Sequence, residues 1–381
     1  MCRHAVSRRD FFHRMGLGAI AGSSILELAR TRAAWAQAMS PGAPTDLFDI
    51  QKVNEGVFFA FARPQAVTNC NAAIFVNSAD VLVVDAHSKP SAAAALIAQI
   101  KQQVTTKPVR YLVDTHFHWD HSQGNAAYRE AYGPDVKIIA SEATKKLAAE
   151  NTVPRLREAL DPHGHPFPSQ PHIPVLIDEA RQQLSAATTP EAKAQITERI
   201  GQLEAFSREM KNFTATLPSV TLSKEYVIKD KAHDIHVEFH GRAHTAGDVV
   251  VFSPQRRIVA TGDMVLGGLP FMADCFPKEW PATIDSVSKL GFDHVAGGHG
   301  ALQDGRARMT GLRNYIEEIT TRVEAGKKAG KSIAEIQASM PVASIKALQS
   351  NGYGEMVFGH RDDAAKQAPL NVNIEHVFNR L

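Results

Sequence analysis

The chain has 381 residues, of which 44% are hydrophobic and 22% are charged, with 25 Gly and 20 Pro. Length and composition indicate a globular protein of one large or two ordinary domains and exclude a coiled coil, a collagen or a mainly disordered chain. The 42 Lys and Arg residues nearly balance the 40 Asp and Glu residues, which leaves a net charge of +2. The balance gives no indication of a basic surface for nucleic acid, so no nucleic-acid partner is predicted.

The first 38 residues have the layout of an export signal. A basic leader precedes a charge-free apolar run at 15–26, and Ala36-Gln37-Ala38 gives the small-residue spacing that a signal peptidase recognises. The apolar run is shorter than the roughly 20 residues that cross a bilayer, so no stable membrane span is predicted. The run SRRDFF at 7–12 resembles a twin-arginine signal, which implies the twin-arginine export machinery as a partner. We therefore expect a bacterial protein that is periplasmic or secreted.

The mature chain begins with strands and then alternates strands with helices. Between Phe48 and Asp85, short apolar runs are separated by turn residues, which predicts hairpins. An Ala-rich helix is predicted to begin at Pro90 or Ser91 and to end at Gln103. The next predicted elements are a strand at 109–114, a short helix at 125–132, a strand at 136–140 and a helix that starts near Ser141.

A helical insertion is predicted at about 151–218, where a Pro- and His-bearing loop leads into a polar helical stretch. Beyond it, strands are predicted within the runs 220–228, 233–240, 248–254, 256–263 and 292–298, with a helix at 282–290. Two halves with strands before helices favour an α/β fold of the αββα sandwich type, in which two sheets pack face to face with helices outside. The domain is predicted at 39–300, and residues 301–381 are predicted to form a mainly helical C-terminal extension.

The strongest motif, THFHWDH at 115–121, directly follows a predicted buried strand. It places His116, His118, Asp120 and His121 within six residues. Imidazole nitrogen and carboxylate oxygen are ligands that zinc takes readily, and a catalytic zinc keeps one position for water. Because alternate residues at a strand end point to the same side, this single loop is expected to contribute ligands to two metal sites.

Three later residues stand at predicted strand ends and beside glycines, which let the backbone approach a site closely. They are His244, Asp263 and His299. Four ligands from one loop do not suffice for two ions. We therefore predict that these three residues supply the remaining ligands.

With these residues, the sequence resembles the metallo-β-lactamase superfamily, whose members share an αββα sandwich with a metal site at the edge of the paired sheets. The resemblance covers roughly Phe48 to Gly300, and five motifs occur in the family's order, beginning with a structural Asp at position 85. It implies two Zn²⁺ ions, with iron as the alternative metal. The implied ligands are His116, His118 and His244 for one ion, Asp120, His121 and His299 for the other, and Asp263 as the bridge between them.

The implied ligand set is glyoxalase-II-like. Dedicated β-lactamases in the superfamily usually carry Cys or Ser at the position of Asp263, whereas thioesterases, lactonases and phosphoesterases keep the bridging Asp. The function expected from the resemblance is a hydrolase acting on a small-molecule ester, thioester, lactone or amide. A metal-activated hydroxide is the expected nucleophile, and Asp120 is the expected catalytic residue that orients it or moves its proton. Three alternatives stay open: a β-lactam-hydrolysing enzyme, an iron-dependent sulfur dioxygenase, and a non-catalytic periplasmic metal-binding or maturation protein.

Other residues carry less specific expectations, and the sequence leaves the oligomeric state open. Cys70 and Cys275 form either one disulfide or two buried thiols. His87 either supports the metal ligands or packs at a strand end. The histidines at 163, 165 and 172 belong either to a lid or to a solvated loop, and those at 233, 236 and 240 are interpreted as structural. Substrate walls and core packing are equally compatible with Phe117, Trp119, Phe271, Met272 and Trp280.

Overall fold

A computed structural model describes residues 47–165 and 171–381 of the chain. The predicted signal segment, 1–38, lies outside the described residues. The described chain divides into two compact units, each of which contains one sheet. Among the described residues, the N-terminal unit comprises those within 47–223 together with 229–232, and the C-terminal unit comprises 224–228 and 233–381.

The sheet of the N-terminal unit has seven strands in sequence order, antiparallel from β1 to β4 and parallel from β4 to β7. Gly56 has a positive φ of 68° at the first hairpin, a conformation that glycine adopts without steric cost. The strands are β1 (Phe48–Asn54), β2 (Val57–Ala62), β3 (Ala72–Val76), β4 (Val81–Val84), β5 (Val109–Val113), β6 (Lys137–Ser141) and β7 (Val220–Leu222).

Six helices belong to the described part of the N-terminal unit. They are α1 (Pro90–Gln103), α2 (Trp119–Ser122), α3 (Asn125–Tyr132), α4 (Glu142–Leu160), α5 (Ile173–Ala186) and α6 (Pro190–Met210). α4 begins where the Ser141 hydroxyl accepts a hydrogen bond from the backbone N–H of Thr144 at 3.0 Å, which satisfies one orphan donor of the first turn. The polar stretch predicted as one helical region forms two helices, α5 and α6, that pack against each other.

The core of the N-terminal unit forms between its sheet and two helices. Leu96 and Ile100 of α1 and Tyr128 of α3 are fully buried in one cluster with strand residues such as Ile74 and Val83. All four residues of β4 are buried, as expected for a strand with both faces covered. The carboxyl ends of β4 and β5 are therefore held on a rigid element.

The C-terminal unit contains a six-stranded sheet in the order β13-β12-β11-β10-β9-β8. Only the β11–β12 pair is parallel. The run 220–228 differs from its prediction, because a bend at 223–224 divides it into β7 and β8, which belong to different sheets. The strands are β8 (Glu225–Ile228), β9 (Ile235–Phe239), β10 (Val249–Ser253), β11 (Ile258–Gly262), β12 (His294–Gly297) and β13 (Gln303–Asp304).

The C-terminal helices form a second core with the helix-facing side of this sheet. Leu312 and Ile316 of α8 are buried there with Val250 and Val259 of the strands. Within the same helical region, the amide of Asn373 donates a hydrogen bond to the Tyr315 hydroxyl at 3.0 Å. The helices are α7 (Trp280–Val287), α8 (Ala307–Lys328), α9 (Ile333–Ala338), α10 (Lys346–Gln349), α11 (Tyr353–Phe358) and α12 (Asp363–Arg380), with a 3₁₀ turn at Val342–Ser344.

These elements confirm the predicted fold class, a mixed α/β fold with two sheets, helices and a helical C-terminal tail, consistent with the αββα sandwich. Cys70 and Cys275 are both buried free thiols, so the disulfide alternative is not formed. Within 47–165 and 171–381, no helix has the length and apolarity needed to cross a membrane.

Candidate metal centre

The HxHxDH motif lies at one edge of the N-terminal sheet. β4 and β5 are parallel neighbours, so their carboxyl ends meet at that edge. Asp85 directly follows β4, and the loop that begins at Asp114 directly follows β5. Asp85 has a positive φ of 68°, a left-handed conformation that Asp tolerates better than most residues.

Asp85 fixes the orientation of the motif through hydrogen bonds. The backbone N–H and the hydroxyl of Thr115 both donate to its Oδ1 at 2.9 Å. Nδ1 of His121 lies 2.8 Å from its Oδ2. Because a carboxylate only accepts, Nδ1 of His121 carries the hydrogen and Nε2 keeps the lone pair that a metal needs.

The tautomer of His116 follows from the same network. Its Nδ1 lies 3.1 Å from the Thr115 hydroxyl oxygen. That hydroxyl has one hydrogen, which it donates to Asp85, so it accepts from Nδ1–H of His116. Nε2 of His116 is therefore the atom with a lone pair for metal.

The four ligands predicted from the motif lie together within the N-terminal unit. The ring of His116 is 4.7 Å from the ring of His118 and 4.2 Å from that of His121, measured between centroids. Oδ2 of Asp120 lies 3.6 Å from Nε2 of His121. All four side chains are buried, so they are constrained to a narrow range of positions.

The helical insertion packs directly on this motif. The guanidinium of the buried Arg155, from α4, lies 5.0 Å from the centroid of the Phe117 ring. The ring of Phe206, from α6, meets the indole of Trp119 edge to face at 6.4 Å. Both aromatic residues of the motif are thus packing residues held by the insertion.

The C-terminal unit brings together the other three predicted ligands. β11 and β12 are parallel, so Asp263 and His299, which follow them, lie at the same edge of the sheet. β10 is antiparallel to β11, so its start lies at that edge, and His244 stands in the loop before it. Oδ2 of Asp263 lies 3.8 Å from Nε2 of His244 and 3.5 Å from Nε2 of His299.

These separations fit metal binding. Two ligand atoms on one tetrahedral zinc lie roughly 3.4 Å apart when each bond is about 2.1 Å long. One carboxylate oxygen of Asp263 is close to that distance from both imidazole nitrogens. Within the C-terminal unit, the Asp263 carboxylate is therefore close enough to each of these two imidazoles to share a metal ion with it.

Close backbone contacts hold the C-terminal ligands in place. The N–H of Thr245, next to His244, donates to the buried Asp248 carboxylate at 2.7 Å. The N–H of Gly267 donates to the carbonyl of His299 at 2.7 Å. A Cβ on Gly267 would stand 2.6 Å from the Cα of Gly300, so only glycine permits this approach. The glycines beside His299 thus position the loop that carries it.

The His and Asp residues of both groups are members of side-chain clusters that could hold a metal ion. The residues matching the metallo-β-lactamase superfamily are 66–299, which is more than half of the chain. The chain belongs to the metallo-β-lactamase superfamily. Members of this superfamily are mostly metal-dependent hydrolases.

Solved metallo-β-lactamase structures are similar to this chain at low sequence identity. A metallo-β-lactamase from Pontibacter korlensis is 19% identical, with a TM-score of 0.50, over 71% of this chain and 99% of its own. The metallo-β-lactamase DIM-1 is 17% identical, with a TM-score of 0.48, over 71% and 97% of the two chains. A metallo-β-lactamase from Hirschia baltica is 16% identical, with a TM-score of 0.47 and the same coverage. No curated protein matches the chain.

Three residues that the sequence left open between a role in the site and core packing are fully buried. His87 is fully buried, donates from Nδ1 to the carbonyl of Cys70 at 3.1 Å and packs on the Phe48 ring at 4.5 Å. Burial lowers the pKa of His87 to about 3, so its imidazole is neutral at physiological pH. Met272 and Trp280 are fully buried in the C-terminal core. The ring of Trp280 also lies 5.6 Å from that of the predicted ligand His244, measured between centroids.

Phe271 differs from these residues because it is only partly buried. Its centroid is 6.4 Å from that of the predicted ligand His244 and 5.1 Å from that of His376, on α12. The loop histidines make local contacts, since the N–H groups of His163 and His165 donate to Asp161 and Glu158.

Sequence reasoning missed four residues that contact either the motif or Phe271. A signal existed for Thr115, because a hydroxyl stands directly before the first motif histidine. The other three are distant in the chain from what they contact, and nothing local marks them. They are Arg155, Phe206 and His376.

Proposed function

We propose that this protein is an exported dinuclear zinc hydrolase that acts on a small ester, thioester, lactone or amide. The proposed ligands of one ion are His116, His118 and His244. Those of the other are Asp120, His121 and His299, with Asp263 as the bridge. Superfamily membership and the order of the motifs along the chain support this assignment.

The observation that carries the proposal is the position of Asp263. Its Oδ2 lies within 3.8 Å of one predicted imidazole ligand of each ion, His244 and His299. A thiol or hydroxyl at this position would offer one ligand atom with a different geometry, whereas a carboxylate oxygen bridges two cations readily. The arrangement therefore favours a hydrolase with a bridging Asp over a specialised β-lactamase.

The protein's contribution to the reaction is to orient the lone pairs of its metal ligands and to move a proton. Bound zinc supplies an activated water at neutral pH by lowering the pKa of that water towards about 7. The Asp85 network directs Nε2 of His116 and of His121 away from their hydrogen-bond partners. The Asp120 carboxylate, buried beside His121, is the group proposed to orient the attacking water and to take its proton. Phe271, partly exposed beside His244, is suited to contact an apolar part of the substrate.

Purified mature protein with quantified metal tests this function. We expect at least two zinc ions per chain, as for other two-metal hydrolases, and turnover on at least one ester, thioester or lactone without oxygen uptake. His116→Ala and Asp263→Ala are expected to lower zinc content and turnover together. His294→Ala is the matched control, because His294 pairs with Asp304 at 2.8 Å at the start of β12, the end of that strand opposite to His299.

The same assay separates the competing functions. Bound iron with oxygen uptake supports a sulfur dioxygenase, and turnover confined to β-lactams supports a β-lactamase. Bound metal with no turnover on the whole panel supports a binding or maturation protein. Full turnover in a metal-free variant contradicts a metal-dependent mechanism altogether.

Export is proposed from the N-terminal sequence alone. The twin-arginine run, the apolar run and the small-residue site occur in the order that an exported protein requires. Mass spectrometry of the protein from the periplasm is expected to show a mature N-terminus after Ala38. Replacing both arginines of the pair with lysine is expected to leave the full-length protein in the cytoplasm, and periplasmic delivery of that variant would contradict a twin-arginine route.

A further inference from the structure

A second set of metal-binding side chains lies on the C-terminal sheet, outside the residues assigned to the hydrolase. Glu225 of β8 and Glu238 of β9 stand directly opposite each other in the antiparallel register. His236 precedes Glu238 by two residues, so its side chain is on the same face of the sheet. Glu225, His236 and Glu238 are called the β8–β9 cluster below.

The ligand atoms of the β8–β9 cluster converge on one point. Nδ1 of His236 lies 2.6 Å from Oε1 of Glu225 and 3.7 Å from Oε1 of Glu238. These separations bracket the roughly 3.4 Å expected between ligands on a tetrahedral zinc. Glu225 lies on the edge strand and its side chain is 42% exposed, so it is free to make the small adjustment that equal bond lengths require.

The negative charges of the β8–β9 cluster favour the binding of a cation. Like charges directly opposite on neighbouring strands destabilise a sheet, and burial of a carboxylate adds to that cost. The side chain of Glu238 is only 17% exposed and that of His236 only 22%. In the described part of the chain, no lysine or arginine lies within ion-pair distance of either carboxylate. The nitrogen partners of the two carboxylates are the imidazoles of His236 and His240, each of which carries at most one positive charge.

The surroundings hold the ligands in place. Oε2 of Glu238 lies 2.7 Å from Nε2 of His240, and Nδ1 of His240 lies 2.9 Å from the Ser286 hydroxyl of α7. This contact leaves Oε1 of Glu238 directed towards His236. The imidazole of His236 packs near the ring of Phe252 at 6.5 Å. Hydrogen-bonded carboxylate ligands of this kind are typical of built metal sites.

We infer that the β8–β9 cluster binds one divalent transition-metal ion of the zinc class, separate from the hydrolase centre. One imidazole and two carboxylates suit zinc, nickel or copper, and a site with a nitrogen ligand discriminates against magnesium. The ion joins the edge strand β8 to β9 and cancels the repulsion between the opposed carboxylates. It serves as a structural pin and takes no part in turnover.

The test compares zinc bound per chain in the wild-type holoenzyme and in variants, by calorimetric titration and elemental analysis at neutral pH. We expect His236→Ala to bind one zinc ion fewer than the wild type, or to bind that ion more than about 100-fold more weakly. Loss of a ligand is expected to exceed the 10–100-fold effect of changing an outer partner of a ligand. Turnover is expected to remain at the wild-type level. His294→Ala is the matched control, since its His–Asp pair lacks a second carboxylate, and it is expected to keep the wild-type stoichiometry.

A second variant and a competition with magnesium test the same site. Glu225→Gln alters an exposed edge-strand side chain, so it is expected to fold even where His236→Ala does not. It is expected to lower the affinity for the same ion. Millimolar magnesium is expected not to displace that ion. Equal zinc content in wild type, His236→Ala and Glu225→Gln overturns the site, whatever the hydrolase centre binds, because the comparison depends only on the difference between variants. Displacement by magnesium overturns the metal class.

Discussion

The hydrogen bond from His121 to Asp85 gives the most specific test of how the protein prepares its metal ligands. In Asp85→Asn, the side-chain oxygen can still accept from the N–H and hydroxyl of Thr115, as Oδ1 of Asp85 does at 2.9 Å. The amide nitrogen then replaces the oxygen that faces Nδ1 of His121 at 2.8 Å. Two donors would face each other, so His121 has to move its hydrogen to Nε2 or turn its ring. Either change removes the lone pair predicted to bind metal.

The magnitude follows from the contacts that change. The two bonds from Thr115 are retained, so the loss is confined to the orientation of one ligand. Disruption of such an outer partner costs about 10–100-fold in metal affinity, which corresponds to about 1.4–2.7 kcal/mol. Competition with a chromophoric chelator at fixed pH measures the zinc affinity, and circular dichroism checks that the variant is folded.

Asp114→Asn is the matched control for Asp85→Asn. Asp114 is buried in the same loop, and burial raises its pKa well above the ordinary value. It accepts a hydrogen bond from Asn125 at 2.7 Å rather than from a histidine of the motif. Zinc affinity is therefore expected to be unchanged in Asp114→Asn. A wild-type zinc affinity in folded Asp85→Asn, or equal losses in both variants, would refute the proposed control of the His121 tautomer.

Three further predictions concern stability. Because the pKa of His87 is lowered to about 3, the unfolded state binds a proton that the folded state does not, and stability falls by about 1.4 kcal/mol per pH unit from about pH 6.5 down to 3. His87→Asn is expected to flatten this slope in chemical denaturation of the metal-free protein; an unchanged slope contradicts it. Phe206→Ala is expected to cost about 3–5 kcal/mol, because Phe206 is 1% exposed, against less than about 0.5 for Val175→Ala at 47%. Tyr315→Phe is expected to cost about 1–3 kcal/mol by orphaning its buried asparagine partner, whereas Tyr353→Phe is expected to be neutral or stabilising, since the Tyr353 hydroxyl is buried with no hydrogen-bond partner among the described residues. Equal losses for the two tyrosine variants would contradict that distinction.

The local part of the candidate site was predictable because its ligands are adjacent in sequence. Four of them stand within six residues, in the loop after β5 and in α2, and so short a segment keeps its side chains close together. The structure places those four together within one unit, with ring centroids 4.2–4.7 Å apart for the histidine pairs. Asp263 and His299 were predictable for a similar reason, since each ends an apolar strand and the carboxyl ends of parallel strands meet at one edge.

Contacts between distant segments could not be predicted from the sequence. The run VTLSKEYVI contains neither glycine nor proline, yet it bends at 223–224 and its halves join different sheets. The register that sets Glu225 opposite Glu238 depends on the connection between β8 and β9, which carries no two-residue hairpin signal. The three histidines near β9 therefore appeared structural, although His236 lies between two carboxylates.

The helical insertion packs against the motif and α1 and supports the candidate site structurally. The carboxylate of Glu209, at the end of α6, accepts from both the N–H and the hydroxyl of Ser91, which anchors α6 to the start of α1. Gln202 accepts from the N–H of Ala66 at 2.7 Å, and Phe206 covers Trp119. Removing the insertion would expose two buried aromatic residues beside motif histidines and free the loop to move. The two aromatic residues of the motif, which alternate with its histidines, therefore depend on the insertion for their burial.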